Sequence, residues 1–518
     1  MKTHSDAEES LRLWRESSEV KWCPHEGSKI AEFYKDKTVF VTGATGFLGK
    51  LLVEKLLRAC PDIEAIYILV RPKKGEDEHT RVDKLYSDQI FSPLAKLFPK
   101  FQHKISILKG DASLPNLGLT DSGISTITEN VHVIFHIAAT VRFDEKINVA
   151  TAINVRGTRD LLKIAKQCKH LESFVHVSTA YANCNQSEIK EVFYKLPITA
   201  DELIEMVETT PEKTLIEETP KIIQGWPNTY TFTKAIAEDV VSHYGRGLPV
   251  CMVRPAIVIA TYKEPLRSWI DNLYGATGIV VGAGTGLLRT IHCDPNKSAE
   301  LVPGDYVINN MIAASYQTAV DKNTKDIPIY NYVSSRENRE NWESFMFKCK
   351  KWGIGLPTTR CVWCYSLTLN KNYFVHFLYT VFLHLLPALV MDFGLLLSRQ
   401  KPIMLKIYKK IIKFESVISH FCSNEWKFYN DNTQALWKGC SSADQKMFPF
   451  SIKELDWNEY QKTHCLGLRT FVIKDDPSTI PQAKPKWRRF YLAHKLLKAV
   501  FYFVIVYMLY SVLGRLIS

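Results

Sequence analysis

Outside the basic segment that leads into its last apolar stretch, the chain lacks any run of Lys and Arg with interleaved aromatic residues, although its formal net charge is +12 over 518 residues. A groove that binds nucleic acid needs such a run, so we expect no nucleic-acid partner. The modest excess of positive charge fits attraction to anionic ligands or to a membrane surface. No segment repeats at a regular period, which excludes a solenoid.

Paired metal-binding patterns are also missing from the twelve cysteines. The one C-x-x-C motif, Cys361 and Cys364, has no second pair nearby. Because a tetrahedral zinc site needs four ligands, we expect no metal here. Free thiols in a reducing compartment are the expected state.

Short apolar segments alternate with helical patterns between residues 37 and 355. The segment before them, 1–36, is polar and irregular, and we expect it to be no signal peptide. The predicted strands lie at 38–43, 65–73, 104–113, 131–140, 172–182 and 248–260, with helices at 50–60 and 151–168. This alternation predicts an α/β fold with a doubly wound, parallel Rossmann-type sheet in a catalytic domain at 37–355.

Helical patterns replace the alternation further on, and we expect a mostly helical C-terminal domain at 356–480. Its most apolar stretch is 372–399. That stretch is interrupted by four residues that are polar or break helices: His376, His384, Pro387 and Asp392. Since a span needs about 20 apolar residues without charges, we predict a hydrophobic helix pair resting on a membrane.

Residues 481–518 are predicted to form a basic linker and a membrane-anchor helix. The stretch 499–514 is apolar and uncharged, and four basic residues lie just before it: Lys484, Lys486, Arg488 and Arg489. Positive charge stays on the cytosolic side, so we expect a single-pass anchor with a cytosolic catalytic domain. The endoplasmic reticulum and the peroxisome are the candidate membranes. A helix buried in the protein core is the alternative.

A glycine turn, GATGFLG at 43–49, connects the first predicted strand to its helix. We expect Gly43 to make the tight turn, Gly46 to let the backbone approach a pyrophosphate, and Gly49 to let the helix pack on the strand. The helix N-terminus favours negative charge there. The motif predicts a dinucleotide site, with a plain tight turn as the alternative.

Further cofactor contacts are predicted where the next three strands end. The second strand runs into Arg71 and the basic residues Lys73 and Lys74. A guanidinium binds a ribose 2′-phosphate, whereas NAD enzymes usually place a carboxylate there, so we predict NADPH. Asp111 ends the third strand, where it would accept a hydrogen bond from the adenine amino group. The fourth ends in small residues that let ribose and nicotinamide lie close: Ala138, Ala139 and Thr140.

The candidate catalytic residues are Tyr230 and Lys234, which stand four apart on a predicted helix and share one face. A Lys ammonium near a phenol lowers the pKa of the Tyr, which suits a proton donor to a developing alkoxide. Ser178 and Thr179 end the fifth strand, and one of these hydroxyls is expected to bind the substrate oxygen.

For two further motifs we favour an interpretation without a functional role. Tyr491 and Lys495 repeat the Y-x-x-x-K spacing, but no glycine turn or Ser-Thr strand end precedes them, so we interpret this copy as chance. The segment GAGTGLLR, 282–289, is predicted to be a flexible loop, with CoA phosphate binding near Arg289 as the less favoured interpretation.

The order T-G-x-x-G-x-x-G, Ser-Thr strand end and Y-x-x-x-K resembles the extended short-chain dehydrogenases/reductases. More narrowly, VTGATGFLGKLLVEKLLR, VIFHIAATVRFDE, FVHVSTAYAN, YTFTKA and VRPAIV together resemble the eukaryotic fatty acyl-CoA reductases. The similarity continues through EPLRSWIDNLYGATG, 264–278, and into the helical C-terminal domain. Residues 265–268, PLRS, differ from the sequence that the family has at this place. The resemblance therefore does not predict which acyl length is preferred.

The resemblance implies NADPH-dependent reduction of a long-chain acyl-CoA to a primary alcohol, by two hydride transfers through an aldehyde, with release of CoA. It implies that Tyr230 donates the proton, that Lys234 tunes it and orients the ribose, and that Thr179 or Ser178 holds the carbonyl oxygen. The cofactor contacts implied around the turn are Thr42, Gly43, Thr45, Gly46, Phe47, Leu48 and Gly49.

Two other classes of function are open at this point. A membrane-bound steroid dehydrogenase or a nucleotide-sugar epimerase would share the turn, the Tyr and the Lys, but would not need the long helical domain. A non-catalytic NADP-binding scaffold would tolerate the loss of Tyr230 or Lys234, and both are present.

Overall fold

The computed structural model describes residues 2–16, 26–72, 75–321 and 326–517, with side chains described from residue 5 to residue 511 of these ranges. Its β-strands are β1 Thr38–Thr42, β2 Ala65–Val70, β3 Ile105–Lys109, β4 Val133–His136, β5 Ser173–Val177, β6 Glu188–Ile189, β7 Val250–Pro255, β8 Ile257–Ile259, β9 Thr290–His292, β10 Leu301–Pro303, β11 Ile329–Tyr332, β12 Thr368–Asn370 and β13 Lys427–Phe428.

Seven strands form a central sheet in the order β11-β7-β5-β4-β1-β2-β3. Every neighbouring pair in it is parallel. The predicted Rossmann-type sheet is therefore confirmed, and β11 is a strand that the sequence pattern did not reveal. The strand order reverses between β1 and β4, and ligands of such sheets bind at this switch point.

The helices in the described ranges lie mostly on the two faces of the sheet and in the C-terminal region. They are α1 Lys2–Glu16, α2 Lys29–Tyr34, α3 Phe47–Ala59, α4 Glu78–Tyr86, α5 Ser92–Leu97, α6 Asp121–Asn130, α7 Ile147–Ala150, α8 Gly157–Ala165, α9 Ala200–Thr209, α10 Glu212–Ile222, α11 Thr229–Tyr244, α12 Ala276–Thr285, α13 Gly304–Val320, α14 Trp342–Gly353, α15 Tyr373–Tyr379, α16 Leu386–Leu397, α17 Met404–Ser423, α18 Asp431–Gly439, α19 Ser442–Met447, α20 Trp457–Gly467 and α21 Ile480–Ile517. Short π-helical turns at Thr151–Arg156 and Thr380–Leu385 join α7 to α8 and α15 to α16.

The prediction of an irregular N-terminal segment is wrong for Lys2–Glu16 and Lys29–Tyr34, which form α1 and α2. Ser28 caps α2 by accepting a hydrogen bond from the Ala31 amide. Trp14 of α1 packs its ring 5.5 Å from that of Phe471. The many charged residues of this segment masked, in the sequence pattern, the few apolar residues that pack against the C-terminal region.

Two long apolar helices stand out in the C-terminal region. The stretch 372–399 forms one continuous helix, Tyr373–Leu397, rather than the predicted pair. Pro387 lies inside this helix, just after the π-helical turn Thr380–Leu385, and such a local adjustment lets a helix continue past a proline. The second helix, α21, leaves none of its apolar window buried, so it is no core helix. Both are long and apolar enough to cross a membrane, and they fit membrane association.

Candidate active site

The glycine turn lies where β1 passes into α3, at the switch point. Gly43 has φ of +75°, and a Cβ there would come within 2.8 Å of the Ala138 amide nitrogen. A Cβ on Gly49 would lie 2.2 Å from the Gly43 carbonyl oxygen, so this glycine lets α3 start against the strand. Gly46 is exposed, and its Cβ would meet only the turn's own carbonyl at 3.3 Å. The cradle therefore fits a pyrophosphate at the helix N-terminus.

Side chains of the turn have distinct partners. The buried Thr42 hydroxyl lies 2.8 Å from His136 Nδ1 and accepts a hydrogen bond from the Ala138 amide at 3.2 Å. Phe47 stacks on Trp269 with ring centroids 5.4 Å apart, while Leu48 is half-buried. The ring of Phe47 is therefore in contact with Trp269 and does not form an open surface for the cofactor.

Two arginines converge beyond the end of β2. Arg71 is half exposed and its Nη1 lies 3.8 Å from a carboxylate oxygen of Asp111. Arg81 donates to the Thr45 hydroxyl at 3.0 Å and also to the carbonyl oxygen of Arg71. Burial and the neighbouring Arg71 guanidinium lower the pKa of Arg81. Lys73 and Lys74 lie outside the described residues.

The end of β4 is fastened to the helix that follows it. Asn154 Oδ1 accepts from the Thr140 amide at 2.9 Å, and its Nδ2 donates to the Thr233 hydroxyl at 3.0 Å. Asn154 lies in the π-helical turn before α8, a distortion that is frequent at functional sites. The short residues Ala138 and Ala139 thus follow β4 next to the turn, as predicted from the sequence.

Tyr230, Thr179 and Lys234 come together at the carboxyl ends of β5 and β7. Burial raises the pKa of Tyr230 to about 12, and the neighbouring Thr179 hydroxyl opposes that shift. The Thr179 hydroxyl itself donates to the Pro255 carbonyl at 3.4 Å. Lys234 Nζ donates to the Val177 carbonyl at 2.6 Å. Burial lowers the pKa of Lys234 to about 8, and Glu238 opposes that shift.

The predicted lowering of the Tyr230 pKa by Lys234 is therefore wrong for this structure. Desolvation of the phenol dominates, and the ammonium is not among the groups that shift it. Tyr230 stays a neutral phenol at physiological pH, which leaves it able to donate a proton.

Ser178 points to a different partner from Thr179. Its hydroxyl donates to the buried carboxylate of Glu238 at 2.6 Å. Arg254 donates to both oxygens of the same carboxylate, at 2.8 and 2.7 Å. Asn183 donates to it at 2.9 Å. This network ties the end of β5 to α11 and β7, and so positions Tyr230 and Lys234.

Four residues of the site were missed from the sequence: Arg81, Asn154, Glu238 and Arg254. Glu238 stands four residues after Lys234 and Arg254 lies within the VRPAIV motif, so both left a signal. The sequence around Asn154 indicated only a helix. Arg81 stands 36 residues from its partner Thr45, and sequence spacing carries no trace of that contact.

The structure shows where the two remaining motifs lie, residues 282–289 and the second Y-x-x-x-K copy. The segment 282–289 is no flexible loop, because α12 runs through it to a left-handed cap at Gly286. Arg289 donates to the Leu383 carbonyl at 3.0 Å and packs over Trp363, and CoA binding near it stays a prediction. Tyr491 and Lys495 lie on α21, away from the sheet.

Residues 265–268, which differ from the sequence of the family at this place, pack against the C-terminal region. Ser268 has φ of +59°, a conformation that favours glycine. Its hydroxyl lies 2.9 Å from that of Thr463. Just before it, Glu264 pairs with Lys55 and Arg58 of the cofactor-binding helix α3. This stretch therefore clamps α3 to the C-terminal region.

We predict that Thr179→Ala lowers turnover far more than Ser178→Ala. The Thr179 hydroxyl lies beside the phenol, whereas that of Ser178 is held by Glu238. Loss of one preorganised oxygen-binding donor typically costs about 10²-fold in rate. Steady-state kinetics of the two variants test the order, and the reverse order would move the role to Ser178.

Comparisons with known proteins agree with this geometry. Residues 41–311 and 383–475 each match a family model described as "Male sterility protein". Fatty acyl-CoA reductase wat of Drosophila melanogaster is 42% identical over 486 residues, covering 94% of each chain. Fatty acyl-CoA reductase 2 of Homo sapiens is 35% identical over 477 residues, covering 92% of each.

Solved structures support the fold. The reductase domain of a nonribosomal peptide synthetase from Mycobacterium tuberculosis has a TM-score of 0.55 at 18% identity, covering 89% of this chain and 96% of that one. The terminal R domain of the myxalamid biosynthetic pathway has a TM-score of 0.53 at 19% identity, covering 90% and 98%.

Sheet, glycine cradle and comparisons together define an oxidoreductase with a nicotinamide cofactor on a Rossmann-like reductase fold. The chain belongs to the fatty acyl-CoA reductases.

Proposed function

We propose that this enzyme reduces a long-chain fatty acyl-CoA to the primary alcohol, with NADPH as the cofactor. The observation that carries the proposal is the proximity of the Thr179 hydroxyl to the Tyr230 phenol at the carboxyl ends of β5 and β7. It pairs an oxygen-binding hydroxyl with a proton donor in a chain of the fatty acyl-CoA reductase family.

Three residues of the chain have separate roles in the proposed reaction. Thr179 donates to the carbonyl oxygen of the bound thioester, and Tyr230 gives that oxygen a proton as negative charge develops on it. Lys234 supplies positive charge near the cofactor ribose. The glycine turn and Arg71 would hold NADPH, which would supply the hydride for each of two reductions, that of the thioester and that of the aldehyde left once CoA has departed.

The choice of NADPH rests on the two guanidiniums beyond β2. Arg71 is half exposed and so is free to turn toward a 2′-phosphate, while Arg81 holds the backbone of Arg71 and the turn residue Thr45. Planar guanidinium groups bind phosphate through two parallel hydrogen bonds. Asp111 lies close enough to orient Arg71, and its contact with adenine stays a prediction.

We expect Arg71→Glu to raise the KM for NADPH about 10- to 100-fold, because a hydrogen bond to a charged group contributes about 1.5–3 kcal/mol. The KM for NADH should change much less, so the preference narrows. Arg246→Glu is the matched control, because Arg246 is an exposed arginine just beyond the C-terminal end of α11. Equal use of both cofactors by the wild type would contradict the role of Arg71.

Product analysis separates this function from its rivals. Purified enzyme is incubated with NADPH and a panel of acyl-CoA thioesters, a steroid ketone and a nucleotide sugar. Our proposal expects primary alcohol and free CoA from the long-chain thioesters alone. Turnover of the steroid or the sugar, or no turnover at all, would favour a dehydrogenase, an epimerase or a scaffold.

We also propose that α21 anchors the enzyme with its catalytic domain in the cytosol, on the endoplasmic reticulum or the peroxisome. The large apolar side chains from Leu496 to Tyr510 are more than one-third exposed, and water is a poor solvent for such a surface. Basic residues precede them, and the positive-inside rule keeps that end in the cytosol.

Truncation after residue 490 tests the anchor. We expect the shortened protein to leave the carbonate-resistant membrane pellet, because the only helix proposed to span is gone. The full-length chain, fractionated in parallel, should stay in that pellet. A truncated protein that still resists carbonate would show that α21 is not the anchor.

A further inference from the structure

The helix Tyr373–Leu397 turns its polar residues toward the protein. His376, Thr380, His384 and Asp392 are all less than 9% exposed, together with Ala388. These five residues, which we call the polar stripe, follow one another at intervals of four and so lie along one side of the helix. The π-helical turn Thr380–Leu385 lies within the stripe and adjusts its course along the helix.

The opposite side is covered by large apolar side chains. We call this the outer face, and its members are Tyr373, Phe374, Phe377, Phe382, Leu386, Leu389, Val390, Phe393, Leu396 and Leu397, each at least 49% exposed. A soluble helix normally shows the reverse arrangement, with its apolar stripe toward the core. An outer face of this size needs an apolar environment.

Polar contacts pin the helix to residues 289–290 of the catalytic domain and to α17. Near its start, Thr290 Oγ1 lies 3.2 Å from His376 Nδ1. In the middle, the Arg289 amide donates to His384 Nε2 at 2.9 Å. Near its end, Asp392 accepts hydrogen bonds from three successive amides, beginning with Ile403, at 2.8–3.0 Å, and so caps α17.

This pinning decides how the helix meets a membrane. A helix that crosses the bilayer must leave the body, and its polar stripe would then be bare in hydrocarbon at a cost of several kcal/mol per unsatisfied group. A helix that stays docked can only lie along the surface of one leaflet, with both ends on the side of the catalytic domain.

We propose that Tyr373–Leu397 lies in the plane of the cytosolic leaflet, with its outer face among the lipid acyl chains and its polar stripe on the enzyme. This proposal deepens the membrane placement given above and rests on it. The nearby charges fit a phospholipid surface, since Lys401 is exposed just after the helix and Lys409 and Lys410 are exposed on α17, which packs along it.

A chain of side-chain contacts links the start of the lipid-facing helix to Tyr230. The ring of Tyr373 lies 5.4 Å from that of His292, and His292 Nδ1 lies 2.5 Å from the Ser419 hydroxyl. Two residues further along α17, Phe421 lies 5.6 Å from Phe143. Phe143 in turn lies 5.5 Å from Tyr230. A leaflet at the outer face therefore brings lipid acyl chains within a few side chains of the proton donor.

The test uses the full-length enzyme in sealed phospholipid vesicles, in the orientation that is active without detergent. A membrane-impermeant amine reagent is added outside, and modified lysines are located by mass spectrometry. We expect Lys371 and Lys401, at the two ends of the helix, to be modified equally. If either lysine reacts only after the vesicles are permeabilised, the helix spans the bilayer and the proposal is overturned.

A second arm identifies what covers the outer face. Phospholipid carrying a photoreactive group in its acyl chain should form adducts along the outer face from Phe374 to Leu397. Phe347 on α14 is 66% exposed, as Phe374 is, and serves as the control that stays unlabelled. Absence of lipid adducts, or crosslinks to a second protein chain, would overturn the proposal. The truncation after residue 490 separately reports on α21, so the two failures are distinguishable.

Discussion

Tyr230→Phe is expected to lower alcohol formation by about 10³-fold, which is within the usual contribution of a general acid. The substitution removes only the phenolic oxygen, and the ring keeps its packing 5.5 Å from Phe143. Binding of NADPH should therefore change little. Single-turnover kinetics and a cofactor titration by fluorescence separate the chemical step from binding.

The chain offers its own control for this experiment. Tyr491 has the same spacing to a lysine, and its ring lies 4.8 Å beneath Lys495 Nζ on α21. Tyr491→Phe should leave turnover unchanged. A Tyr230→Phe enzyme with near-normal turnover would remove Tyr230 from the mechanism.

Glu238→Ala is expected to lower the free energy of unfolding by about 3–5 kcal/mol, because it leaves the Arg254 guanidinium buried without its counter-charge. Arg254 is fully buried, and Glu238 also accepts from Ser178 and Asn183. Since domains are stable by only about 5–15 kcal/mol, much of the reserve would be lost. Urea denaturation followed by circular dichroism measures the change.

Glu129→Ala is the matched control for the loss of a carboxylate. Its ion pair with Lys169 is half exposed, and such pairs contribute at most about 1 kcal/mol. The double variant Glu238→Leu, Arg254→Met should cost less than the sum of its single changes, because no charge is left unpaired. If Glu238→Ala unfolds at the same urea concentration as Glu129→Ala, the buried network does not hold the site.

The sequence predicted the parts of this molecule that rest on local geometry. The turn at Gly43, Gly46 and Gly49 follows from steric limits on a strand-to-helix connection. Likewise, Tyr230 and Lys234 share a helix face because of their spacing. The sequence did not predict strand β11, because Asn331 interrupts its short apolar pattern and only pairing with β7 completes the strand.

The rest depends on contacts between distant segments. Arg81 reaches the turn only after folding, and the pKa of Tyr230 depends on burial that no spacing reveals. The helix Tyr373–Leu397 gave a mixed signal from the sequence, because its histidines and Asp392 broke the apolar pattern. The structure explains them as the polar stripe, which contacts protein while the outer face does not.

The most direct test of the central claim is the amount of NADPH oxidised for each primary alcohol formed from a saturated long-chain acyl-CoA. Absorbance at the cofactor's reduced band and chromatography of the products give the two quantities in one reaction. Our account predicts a ratio of two, with one free CoA for each alcohol. A ratio of one with accumulating aldehyde, or oxidation of NADPH without release of CoA, would contradict it.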